Sequence, residues 1–467
     1  MGRLVVVSNR VGPMKDTGKA GGLAVALVDA LTSSGGLWFG WSGKISEEGT
    51  FGPFQQQKTK SVQLVQIDMN QADHDRFYAG YANRTLWPVL HYRLDLAVFD
   101  RAFENGYRHV NERFASRLHP LLQQDDFVWV HDYHFMPLAA TLRQMEVKVP
   151  IGFFLHIPFP APEVLAALPN AGALIRTMLA YDVIGFQTSR DAANFRRFVV
   201  DELGGTKGAG GVVKLQDRQV LVKAYPIGID AEAFAQFPAT LDAQRNSARL
   251  AKQLAGRRQI VGVDRIDYTK GLPERFRAFA RLLEDYPENQ GQVSLMQVAP
   301  PSRAELDAYI DIRRELEGLT GHVNSRFSQL DWTPIRFLAR AFPRRVLAGL
   351  YRSSHVGLVT PLRDGMNLVA KEYVAAQAPE DPGVLVLSRF AGAAEGMPEA
   401  ISVNPYSDED VARGLQRALT MPLDERRARW QPMFDRLCRE DAKNWSSSFV
   451  ADLMASRREV GASLTAA

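Results

Sequence analysis

One pattern constrains this chain more than any other. A short apolar, β-branched run, a tight polar turn and a helical stretch recur along its whole length. In the first half the runs are residues 4–8, 127–130, 151–155, 183–187 and 220–224; in the second they are 259–263, 293–298, 355–359, 383–387 and 400–403. Near-continuous apolar runs of this kind are what parallel strands buried on both faces require. Between the two series the composition shifts to a charged helix over 241–254, which places a linker near 232–240. With 467 residues the chain is also too long for one ordinary core. The expected fold is therefore α/β: two doubly wound domains facing across a cleft, over 1–235 and 236–445. Residues 446–467 are expected to be a helix end and tail able to cross back to the first domain, frayed from about 457. Trp38 and Trp41 read as packing residues, the stretch from there to about residue 66 as a polar segment, and the glycine-rich run 204–211 as a flexible hairpin or insertion. A single long helix is expected from 423 to about 453.

Charge excludes some partners. The 56 basic and 52 acidic residues leave a net charge of +4, too small and too scattered for a nucleic-acid surface, but compatible with local basic clefts for small anions. The single cysteine, Cys438, rules out an internal disulfide and a thiolate metal cluster. No apolar stretch reaches membrane-spanning length and no leader pattern precedes the first run, so a cytoplasmic protein with no membrane partner is expected. The sequence leaves self-association as a dimer or tetramer open.

The chemistry should sit where strands end, because open α/β sheets bind ligands beyond their carboxyl ends. After 355–359 comes TPLRDGMNLVAKE, with Asp364-Gly365 at the turn into a helix over 368–376. The free N–H groups of that helix, from Asn367 to Val369, form an anion site. Asp364 can accept hydrogen bonds from sugar hydroxyls, and Glu372, one turn on, can reach a vicinal diol. Arg265 and Lys270, in the loop after 259–263, are placed to neutralise a diphosphate. Together these groups suit a nucleotide sugar. In the first half, Gly21-Gly22 opens a helix over 23–31 in a phosphate-compatible turn that is not GxGxxG. Arg10 is a candidate anion clamp. Tyr78, Trp87 and the run His91-Tyr92-Arg93 offer flat faces and donors for a sugar. The 127–130 run ends in His131-Asp132-Tyr133-His134 and the 151–155 run in His156, held by the prolines of HIPFP. A metal at the H-D-x-H pair is not supported, since no third ligand clusters with it. Arg10, Tyr78, Asp132 and, reaching across, Arg303 are placed to hold a second, phosphorylated sugar.

The segments VVVSNR, AGGL, LWP-x-x-HYR, VHDYH, FFLHIPFP, DRIDYTKGLPERF, APPSR, TPLRDGMNLVAKEYVAAQ and SRFAGAA, in order over nearly the whole chain, resemble the family of retaining glycosyltransferases that make trehalose 6-phosphate. The resemblance implies the two-Rossmann GT-B architecture. It also implies transfer of glucose from UDP-glucose to the anomeric hydroxyl of glucose 6-phosphate, with no cofactor and no metal. It puts Arg10, Tyr78, Trp87, Asp132 and Arg303 at acceptor positions, with Trp87 linked to anomer choice. The donor positions are Gly21, Gly22, His156, Arg265, Lys270, Phe342, Asp364, Gly365, Met366, Asn367, Leu368, Val369, Ala370, Lys371 and Glu372. Of all these, Asp132, His156, Arg265, Lys270 and Asp364 are expected to be catalytic. No dedicated nucleophile stands out for a double displacement, so front-face return is favoured, with domain closure about the linker. Two alternatives stay open: glucosylglycerol-phosphate synthase or a related pseudo-glycosyltransferase of the same fold, and a catalytically silent regulatory subunit. Nucleotide preference among UDP, GDP and ADP is not read from sequence.

Overall fold

The computed structural model describes residues 2–12, 27, 28, 31, 35–46, 54–59, 62–303 and 306–465, with side chains to 457. Gly21, Gly22 and most of the expected 23–31 helix lie outside the described residues. Two compact units divide the chain. One runs to Ile227 and includes the residues from Lys443 on; the other is Gly228–Ala442. The division thus falls before the expected 232–240 linker, where a short helix, Ala231–Gln236, stands instead.

The first unit is built on a ten-stranded sheet. In chain order its strands are β1 (Leu4–Arg10), β2 (Gly36–Ser46), β3 (Gln55–Thr59), β4 (Val62–Asn70), β5 (Phe127–His131), β6 (Ile151–Phe154), β7 (Val183–Phe186), β8 (Thr206–Lys207), β9 (Val212–Leu215) and β10 (Arg218–Ala224). In space the order is β3-β4-β2-β1-β5-β6-β7-β10-β9-β8. From β4 through β10 the neighbours are parallel, and β3, β9 and β8 are antiparallel additions at the edges. The glycine-rich run is therefore a hairpin, β8 against β9. Central strands β5 and β6 are buried at every position, which is why they read so plainly as apolar runs.

Two strands correct the sequence reading. β2, in the GLWFGWSGKIS stretch expected only to pack, pairs with β1 from Val5↔Leu37 to Arg10↔Trp41. β4 begins in the stretch read only as a polar segment, runs past its end, and mixes buried with half-buried positions. The expected single C-terminal helix is also two, Leu423–Arg439 and Ala442–Thr465. The backbone of the second stays helical where a frayed tail was expected. That helix packs on the first sheet: Trp445 and Phe449 lie 4.9 and 4.8 Å from the Trp129 ring of β5.

The second unit has six parallel strands: β11 (Arg258–Val263), β12 (Val293–Val298), β13 (Ile335–Leu338), β14 (Val356–Val359), β15 (Val384–Ser388) and β16 (Ile401–Val403). Their order, β13-β12-β11-β14-β15-β16, reverses direction between β11 and β14. β13, too short to show as a run in the sequence, completes the edge. In the first unit the order reverses between β1 and β5. A doubly wound sheet leaves its crevice at the carboxyl ends of the two strands flanking the reversal. These ends carry Arg10 and Asp132 in the first unit, and the 264–271 and 360–367 loops in the second.

Candidate active site

In the second unit the crevice rests on buried charge. Arg275, fully buried in the helix Leu272–Asp285, donates to three strand ends at once. Its Nε reaches Thr360 Oγ1 at 3.0 Å, one Nη reaches Gln297 Oε1 at 2.8 Å, and the other reaches Asp264 Oδ2 at 2.9 Å. Burial pushes the Asp264 carboxyl up, and Arg275 and Lys270 draw it back. Asp267, also fully buried, accepts from the Thr269 amide and hydroxyl at 3.1 and 3.0 Å, from Tyr309 Oη at 3.2 Å and from Arg303 Nη1 at 3.4 Å, with Arg265 3.9 Å away. Burial pushes its carboxyl up too. There Arg303, Arg265, Lys270 and the Thr269 amide outweigh burial and hold it below the usual range. One carboxylate thus anchors both Arg265 and Arg303.

The neighbouring loop supplies the sugar- and phosphate-facing groups. Lys270 pairs with Asp364, whose Oδ2 also accepts from Asn367 Nδ2 at 3.0 Å. Asn367, at φ 80°, caps the helix Leu368–Ala376 by accepting the Ala370 amide at 3.1 Å. The amides of Leu368 and Val369 then head the first turn, where no intrahelical acceptor exists. The SRFAGAA segment braces this loop: Asp364 N–H donates to Phe390 O at 3.2 Å, Gly392 N–H to Asp364 O at 3.1 Å, and Ala393 N–H to Met366 O at 2.7 Å. Gly271 takes φ 62°, and a Cβ there would meet Thr360 O at 2.4 Å, so only glycine lets these two loops approach. Gly365, Met366 and Ala370 are buried beneath the turn. Lys371 is buried as well, and burial pulls its amine down to about 8. Glu372 is buried and paired with Arg344 at 3.4 Å; burial raises its carboxyl and Arg344 counters that. Phe342, half-buried beyond the end of β13, lies under the Arg340 guanidinium at 4.6 Å.

The first unit's crevice is built mainly of rings. Arg10, exposed at the end of β1, lies over Trp41 at 5.9 Å and against Gly43. A Cβ at Gly43, which takes φ 87°, would overlap the guanidinium. Tyr78 sits 5.8 Å from Trp41 and stacks on His134 at 5.9 Å and 9°. It belongs to a wide-turned π-helix, His74–Leu86, a geometry that clusters at functional sites. Trp87, buried, packs 5.6 Å from Tyr133. Asp132 takes φ 77° and ψ 166°, backbone space that is essentially glycine's. It is held there by its N–H donating to Phe154 O at 2.8 Å, while its carboxylate accepts the His156 N–H at 3.3 Å. His156 is half-buried between His131 at 3.0 Å and Gln187 at 3.4 Å, and burial pulls it down to about 3.

Within the first unit, then, Arg10 and Tyr78 gather on Trp41, and Asp132 meets His156. Within the second, Arg265 and Arg303 gather about Asp267, and Lys270 meets Asp364. Arg303 belongs to the second unit, away in sequence from its expected acceptor partners. Sequence reasoning read Trp41 only as packing and gave no role to Asp267, Arg275, Arg344 and His131, all of which fix a neighbour in place. Asp267 and Arg275 carried a signal in the DRIDYTKGLPERF segment and His131 in VHDYH, and Arg344 carried none. Among the described residues no three His, Cys, Asp or Glu side chains gather to hold a metal, and no helix is long and apolar enough to cross a membrane.

Two doubly wound units, the second with an amide-headed helix and paired cations and carboxylates at its switch point, have the architecture of a glycosyltransferase of the GT-B class. More narrowly, the chain belongs to glycosyltransferase family 20, whose model matches residues 6–455. It is 47% identical over 465 residues to a trehalose-6-phosphate synthase of Sinorhizobium fredii, covering 99% of this chain and all of the relative. Among solved structures it resembles an α,α-trehalose-phosphate synthase (UDP-forming) from Burkholderia xenovorans in complex with glucose-6-phosphate, with a TM-score of 0.93, 47% identity, and 97% and 100% of the two chains covered. An E. coli structure bound with UDP-2-fluoro glucose matches with a TM-score of 0.93 at 45% identity, over 97% and 99% of the two chains.

Proposed function

We propose that this glycosyltransferase moves glucose from UDP-glucose to glucose 6-phosphate with retention, releasing UDP and α,α-trehalose 6-phosphate. The carrying observation is the second unit's switch point, where the Lys270–Asp364 pair stands beside the capped first turn of Leu368–Ala376. A diphosphate arriving there finds two helix amides, Lys270 and Arg265. As its phosphate takes over Lys270, the Asp364 carboxylate is released to accept from hydroxyls of the donor glucose. Glu372, with Arg344 behind it, takes the ribose diol, and Phe342 flanks the nucleotide. Arg10, Tyr78, Trp87, Asp132 and Arg303 take the glucose 6-phosphate.

In the reaction the donor C1–O bond breaks with its electron pair leaving on the diphosphate, where Arg265 and Lys270 stabilise the growing charge. The acceptor's anomeric hydroxyl attacks C1 from that same face, and its proton passes to the departing phosphate oxygen. Neither His156 nor Asp364 bonds to the sugar; they orient the donor ring beside Asp132. Two cations at the diphosphate can do the work often given to a metal, so turnover in EDTA is expected. We assign the chain to the cytoplasm, in keeping with its charged small-molecule substrates. UDP release is measured from UDP-glucose with glucose 6-phosphate, glucose or glycerol 3-phosphate, in EDTA. Release with glucose 6-phosphate alone supports the proposal. Release with glycerol 3-phosphate moves the function to the glucosylglycerol-phosphate reading, and no release with any acceptor sinks the transferase assignment.

A further inference from the structure

Side chains at the ends of three adjacent strands form one hydrogen-bonded line. Gln187, just past β7, accepts the Ile227 N–H through Oε1 at 3.0 Å, which turns its Nε2 toward His156 Nδ1 at 3.4 Å. An amide nitrogen only donates, so His156 Nδ1 accepts and the proton of the neutral ring sits on Nε2. That nitrogen lies 3.0 Å from His131 Nδ1, which must then accept in turn. The proton of His131 is left on Nε2, which is buried and has no hydrogen-bond partner among the described residues, in a ring whose centroid lies 4.5 Å from that of Trp129 and 6.3 Å from that of Trp445.

We infer that His131 is a positioning residue which, with Gln187, fixes His156 as a neutral Nε2–H imidazole, so that His156 orients the donor as a rigid neutral ring and not as an acid, a base or a cation. The inference rests on the donor-side role proposed for His156 above. A cationic His156 would set a second N–H against the Gln187 amide, donor facing donor. The titratable groups against the ring are His131 and Asp132, whose carboxylate is turned to the His156 backbone N–H. Phe154, Gln187 and Trp445, from the other elements packed on it, bring no charge. Burial also pulls His131 well below the usual range, with His156 adding to the effect.

The test uses the full chain labelled with nitrogen-15 histidine, the His156 ring signals being assigned by their loss in His156→Gln. From pH 8 to 5 the ring is expected to stay neutral, with a pyridine-type Nδ1 and a pyrrole-type Nε2. His131→Asn, whose carboxamide oxygen stands in for Nδ1, keeps that pattern and the parent's pH profile. His131→Phe removes the acceptor. His156 then titrates nearer its ordinary value of about 6.5, kcat falls about 10-fold with a new acid limb, and KM for both substrates moves little. A His156 that titrates in the parent, or carries its proton on Nδ1, overturns the inference, as does a His131→Phe profile identical to the parent's. If His131→Phe does not fold, the parent spectrum and His131→Asn decide. A parent that shows the expected spectrum yet turns over no donor overturns the functional reading and leaves the tautomer assignment standing.

Discussion

The two crevices occupy the same place in the same kind of sheet, yet they are held together by opposite means. The second unit's is a lattice of ion pairs: Arg275 with Asp264, Arg303 and Arg265 with Asp267, Lys270 with Asp364, and Arg344 with Glu372. The first unit's is a set of stacked rings around one exposed arginine and one strained aspartate. The difference matches the ligands proposed for each. A diphosphate needs several cations, and cations near a buried surface need counter-charges to stay there in the free protein. A hexose phosphate carries less charge and offers a ring that packs on flat faces.

The comparison breaks most sharply on stability. Replacing Arg275 with Met leaves Asp264 buried and unpaired, and is expected to cost about 3–5 kcal/mol in urea unfolding. Adding Asp264→Leu should recover much of that loss. If the single variant costs less than the double, the buried lattice is not what holds the second crevice. Next, Lys270→Ala is expected to lower kcat/KM about 10²- to 10³-fold, the scale of losing one transition-state donor, in steady-state UDP release. Arg10→Ala should instead raise KM for glucose 6-phosphate, with kcat less affected.

Asp132→Gly relaxes a residue held in glycine's backbone space. It should raise stability by about 1 kcal/mol while abolishing turnover, an outcome read by unfolding and assay on one sample. The smallest effect is on acid response. His131 and His156 are held below their unfolded values, so their contribution to stability is present above about pH 6.5 and lost as pH falls toward the folded values. Among the described residues the second unit has one such histidine, His355, pulled down to about 4, while Asp264 and Glu372 are shifted up and work the other way. Hydrogen exchange at pH 7 and pH 5 should therefore show β5 and β6 losing more protection than β11 and β14.

What the sequence made legible was whatever depends on local pattern. The helix Leu368–Ala376 and its Asp-Gly entry are where composition and the turn put them, and Leu241–Leu254 is where composition put it. β2 was lost because its glycines and tryptophans satisfy both a loop and a strand, and only pairing with β1 decides between them. β4 was lost because its alternation of Gln with apolar residues is brief. At the site, residues that offer chemistry to a ligand could be named, and residues that hold those in place could not. Arg275, in the first turn of its helix, reads as a solvated cation until Asp264, Gln297 and Thr360, from three separate strand ends, are brought around it. His131 was weighed only as half of an unsupported metal pair, and its partner is another imidazole just past the end of the next strand.

The central claim is that the charged crevice takes the nucleotide and the ringed crevice takes the sugar phosphate. Calorimetric titration of UDP and of glucose 6-phosphate, each into the parent, Lys270→Ala and Arg10→Ala chains, tests it most directly. The account predicts a crossed result: Lys270→Ala loses UDP and keeps glucose 6-phosphate, and Arg10→Ala does the reverse. Loss of both ligands in both variants, or glucose 6-phosphate binding that depends on Lys270 and not on Arg10, would contradict it.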